Sequence, residues 1–196
     1  MKIRFGQHIA VGKALSLIWK NYGSCKALLS SPFLHFSAFL TLASVGAWVS
    51  KDWWNTGMSV IPGLLGFSVA TFAVFVAIGD EKFRATLASG GEKPAGALLG
   101  IYSSFLVLIG VQVVALLYSM FASSRPLTFV VSALGAEVGT LPLYVQRILS
   151  IATLTFRFIG WLLIVYSIVA IVPMSLSVFR MAKLYLGHLL KFGGKG

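Results

Sequence analysis

The side chains able to do chemistry in this 196-residue chain are few and scattered. His8, His35 and His188 are not at metal-ligand spacing, and Cys25 has no second thiol with which to form a disulfide or a metal site. The acids Asp52, Asp80, Glu81, Glu92 and Glu137 set no carboxylate pair within an apolar stretch, which general acid–base work there would need. No GxSxG, HExxH or phosphate-binding loop occurs. The expectation is no catalytic residue, no metal, no cofactor and no enzyme. What remains polar in apolar surroundings is Gln112 and Arg157. An amide there bonds to a neighbouring helix, at roughly 0.6–2 kcal/mol, or to a solute. Arg157 either snorkels at an interface or marks an intramembrane functional site. The densest charge cluster is Asp80-Glu81-Lys82-Phe83-Arg84, with Asp80 and Arg84 in the favourable i, i+4 order. It reads as a self-neutralised helix end or as a docking site for a partner.

The elements that hold these residues are apolar. Residues 27–50, 53–79, 94–124 and 158–179 contain no Asp, Glu, Lys or Arg, and 58% of the chain is hydrophobic with a mean hydropathy of +0.90. About 20 apolar residues let a helix cross a bilayer core. The expectation is an all-α integral membrane protein with four spans, at 32–50, 58–79, 95–121 and 151–179. With both termini inside, only Lys51, Arg125, Arg147 and Arg157 among the basic residues face out, which satisfies the positive-inside bias. Trp48, Trp53 and Trp54 then gather at the first outer turn, where amphipathic rings sit at headgroup level. The net charge of +11 points to an anionic inner leaflet, not to nucleic acid, because no basic run is interleaved with stacking aromatics.

Residues 1–31 are expected to lie on the inner leaflet. Val11, Leu15, Ile18 and Tyr22 recur on one helical face with Lys13, Ser16 and Lys20 away from it. Gly23 ends that helix. Lys13 and Lys20 leave too short an apolar core for a cleavable signal. In the first span Ser37, Thr41 and Ser44 share a face suited to helix contact, and His35 near its inner end reads as a sensor or as a simply hydrated side chain. The second span carries Ser59, Gly63, Gly66, Ala70, Ala73 and Ala77 at spacings of three and four, and the third carries Gly96 and Gly100. Small residues so spaced allow two backbones to approach, within the chain's own bundle or between copies. The segment 122–150 is apolar yet broken by Gly135, Gly139 and Pro142, as in a cap or re-entrant hairpin covered by protein; its Glu137 has Arg125 and Arg147 as candidate partners. The tail 180–196 places Arg180, Lys183, Gly187 and Lys191 toward one side of a basic amphipathic helix. No internal repeat with matched broken helices marks a secondary transporter.

The size, four spans with inner termini, the Ile61-Pro62-Gly63-Leu64-Leu65-Gly66-Phe67-Ser68 segment and the Gly79-Asp80-Glu81-Lys82-Phe83 exit resemble the membrane subunits of bacterial anti-phage systems, most nearly the Kiwa membrane component family (KwaA). That resemblance implies a homo-oligomer, here taken as a tetramer, in the bacterial inner membrane. It would detect infection there and relay it to a cytosolic DNA-binding effector of the KwaB kind. The alternative is a holin-like or abortive-infection pore acting on its own.

Overall fold

The computed structural model describes residues 5–77, 92–124 and 142–192, and every regular element among them is helical. In chain order these are α1 (Phe5–Tyr22), α2 (Ser24–Leu29), α3 (Pro32–Ala43), α4 (Val45–Val49), α5 (Trp54–Ala77), α6 (Glu92–Ser123), α7 (Leu143–Val169) and α8 (Ile171–Phe192). Three stretches are long and apolar enough to cross a membrane: Trp54–Ala77, Leu99–Ser123 and Leu143–Gly187. The expected first span, 32–50, is instead two pieces, a 12-residue α3 and a 5-residue α4.

Local chemistry accounts for the breaks. Gly23 takes a left-handed φ of 101° and ends α1. A Cβ there would also press on Ala27. At Ser44 (φ −102°, ψ 37°) the backbone leaves the helical path between α3 and α4. Carbonyls released at such a break need donors. The Ser44 hydroxyl donates to the Leu40 carbonyl (2.8 Å), and Trp48 Nε1 donates to the Thr41 carbonyl (2.9 Å). The turn at Ala170 lies three residues before Pro173, whose ring lacks an N–H and collides with the carbonyl four residues back. The expected fourth span, 151–179, therefore starts earlier, at Leu143, and changes helix at Ala170. Pro62, by contrast, sits inside α5 without ending it.

The chain divides into two compact units, one of residues 32–66 and 111–169, the other of 1–31, 67–110 and 170–196. In the first, α3 and α4 pack along α7, burying Ser37 and Thr41 as the shared polar face requires. Trp53, Ile61, Ala115, Ala122 and Ile164 form its core, with Tyr118, Phe156 and Trp161 packed against it. Trp53 is only 3% exposed, its ring covered by the chain's own side chains. Its ring lies over Gly160, where any Cβ would overlap it. The second unit is organised by Phe75, stacked on Phe105 (centroids 5.1 Å) and edge-on to Tyr102 (5.4 Å). In the same unit α2 returns against α1.

Candidate functional site: buried polar groups and outward helix faces

Polar side chains in an apolar chain either satisfy their own helix or reach a neighbour. Most here do the first. The hydroxyls of Ser37, Thr41, Ser104, Ser119, Thr153, Ser167 and Ser177 each donate to the carbonyl four residues back, at 2.7–2.9 Å. Longer-range polar contacts concentrate on α7. Trp161 Nε1 donates to Ser44 Oγ (2.8 Å), and Arg157 Nη1 donates to the carbonyl of Val49 (2.6 Å). Val49 is the last residue of α4, so the guanidinium caps a helix C-terminus, where the backbone presents negative partial charge. Arg157 is thus held by the chain's own backbone. The hydroxyl of Tyr118 donates to the Phe156 carbonyl (3.0 Å), and their rings stack at 4.5 Å.

Gln112 differs from all of these. It is fully buried, and neither Nε2 nor Oε1 has a hydrogen-bond partner among the described residues. The expected bond to a neighbouring helix is not made. Along α6 the buried residues Phe105, Leu108, Gln112, Ala115, Ser119 and Ala122 alternate by three and four. The amide therefore sits in the middle of an inward seam. Ser68 Oγ on α5 is likewise buried and unpartnered.

The small residues of α5 lie on the side away from its core-facing residues. Ile61, Ser68 and Phe75, seven apart, are buried, with Gly57 on the same face. At about 100° per residue, the line of Gly63, Gly66, Ala70, Ala73 and Ala77 runs roughly opposite, and all five are exposed. A Cβ at Gly63, Gly66 or Gly100 would meet nothing within 4 Å among the described residues. Gly96 lies in α6. Close approach within the chain falls instead at Gly57, where a Cβ would strike Ser119 and Ile164, and at Gly160, where it would strike Trp53 and Tyr118. The sequence reading missed both glycines.

The proposed docking cluster Asp80, Glu81, Lys82 and Arg84 lies outside the described residues, as do Arg125 and Glu137 of the outer segment. Leu143 and Tyr144, from the apolar 122–150 segment, are exposed at the start of α7. Lys183 is exposed on α8 opposite the buried Met174 and Met181, and Arg180 is exposed to one side of it. Cys25 is exposed, and no group of three or more metal-ligating side chains gathers among the described residues. No protein-family model, curated protein or solved structure matches the chain.

Proposed function

We propose that the chain is a multi-pass, non-enzymatic membrane subunit that senses or anchors, assembles with copies of itself, and passes its state to a cytosolic partner. By resemblance, that setting is phage defence at a bacterial inner membrane, with a DNA-binding effector as the partner. In this reading α3 and α4 together make a fourth, broken crossing: residues 32–49 rise about 27 Å at 1.5 Å per residue, close to the roughly 30 Å hydrocarbon thickness. Both termini then lie inside, as does the Asp80–Arg84 cluster.

One observation favours a subunit of this kind over a self-sufficient pore. Ser37, Thr41, Ser68, Ser103, Gln112, Ser119 and Ser167 all point into the chain's own interior. The outward faces of α5 and α6 carry Phe67, Val69, Val74, Leu106, Val113, Val114 and Leu117, all exposed. Copies joined by those faces would enclose an apolar channel, whereas ion-conducting pores are lined by carbonyl or charged rings. Purified protein reconstituted alone into dye-loaded vesicles should leave them as tight as empty vesicles. Rapid dye or ion release at comparable protein density would establish the pore instead.

A further inference from the structure

The outward side of α8 combines an apolar stripe with cations set into it. Val172, Leu176, Phe179, Leu186 and Leu190 are exposed at spacings of four, three, seven and four, which places them on one stripe. Leu190 is 79% exposed. The position that completes the stripe is Lys183, also exposed. Beside it stand Arg180, three residues earlier, and Gly187, four residues later, whose backbone is open with nothing within 4 Å of a Cβ. These three residues adjoin on the helix surface. Opposite the stripe, Met174 and Met181 are buried, so the orientation of α8 is fixed by its inner face.

Length and charge identify what covers this stripe. α7 alone, at 27 residues, reaches about 40 Å and exceeds the roughly 30 Å that a span needs. The α8 stripe is therefore not needed to complete that crossing, and cations are set among its apolar residues. A second copy of the stripe is a poor cover. It would bring Arg180 and Lys183 against their own equivalents, and the chain carries no Asp or Glu after Glu137. A phospholipid with an anionic headgroup meets both demands. Its acyl chains cover Phe179, Leu186 and Leu190, while its phosphate reaches Lys183 and Arg180 across the space left by Gly187.

We propose that the outward face of α8 is a seat for an anionic phospholipid, with Arg180, Lys183 and Gly187 receiving the headgroup. This rests on the chain being membrane-embedded, so the test uses full-length protein first shown to resist carbonate extraction from membranes. Extraction by carbonate would defeat that underlying reading alone. Thermal unfolding in detergent is followed with added phosphatidylglycerol or with an equal amount of phosphatidylcholine. Phosphatidylglycerol should raise the midpoint by about 4 °C more than phosphatidylcholine does, as a ligand of the folded state must. In the double variant Arg180→Gln/Lys183→Gln this difference should vanish while the midpoint in phosphatidylcholine holds. Gly187→Leu, which fills the headgroup space without altering charge, should at least halve it. Equal responses to the two lipids in the wild type, or the full difference surviving in either variant, would overturn the proposal. So would a Leu186→Gln/Leu190→Gln variant that loses oligomer mass while keeping the full phosphatidylglycerol response, since the stripe would then be a contact between copies.

Discussion

At the scale of single residues, the membrane core of this chain is governed by where hydrogen bonds end. Most serine and threonine hydroxyls return to their own helices, whereas the Tyr118 hydroxyl and the Trp161 indole reach across to another. Arg157, within an apolar helix, donates to the carbonyl of Val49. Among the described residues, the buried amide of Gln112 is left without a partner. A buried polar group without a partner costs about 1–3 kcal/mol, so nothing in the fold requires it. Gln112→Met, of similar length and without the amide, should leave the unfolding midpoint unchanged or raise it. A fall of more than about 4 °C would show that the amide has a partner after all. Identity at this scale was legible in the sequence: both Gln112 and Arg157 stood out as polar residues in apolar runs. Their partners were not, because Arg157 meets a residue 108 positions away in the chain, and no local spacing encodes such a meeting.

At the scale of elements, periodicity was read well and its meaning was read in part. The line of small residues on α5 is real, yet its side of the helix is the outward one. The inward side is written by Gly57, Ile61, Ser68 and Phe75. Two stripes on one helix give the sequence no means of saying which faces the chain's own core. Gly160 was overlooked because Phe156 and Ile164, its neighbours one turn away, are large; its smallness answers a Trp53 ring brought from another element. Gly160→Val should therefore destabilise the fold by about 1–3 kcal/mol through overpacking. Gly63→Val, on the open side, should leave the single chain's stability unchanged or slightly raised, since valine is the better helix former of the two. Thermal unfolding of the two variants in detergent, below the concentration at which copies associate, reads the contrast. Equal losses would place the close approach elsewhere. The breaks at Ser44 and Ala170 were also missed. Charge-free runs measure length, whereas a break depends on which carbonyls find donors, as Thr41 does in Trp48.

At the scale of the whole molecule, the composition sufficed to read a helical protein with multiple membrane-spanning segments. Orientation rests on the basic residues and has a direct check. Trp53 is buried and useless for labelling, but Asn55 nearby is exposed. With Cys25 replaced by serine, Asn55→Cys should react with an impermeant maleimide applied to intact cells. Labelling only after the inner face is opened would invert the topology and remove the Asp80–Arg84 cluster from the cytosol.

The central claim is that copies of the chain meet through the outward small-residue face of α5, since close backbone approach lets helices pack where lipid supplies no hydrophobic drive. A disulfide scan in native membranes, in the Cys25→Ser background, tests it most directly. Cysteines at Gly66, Ala70, Ala73 and Ala77 should cross-link copies with helical periodicity, and one at the half-buried Leu64, on the core side, should not. Cross-linking absent from all four outward positions, or equally strong at Leu64, would contradict the account.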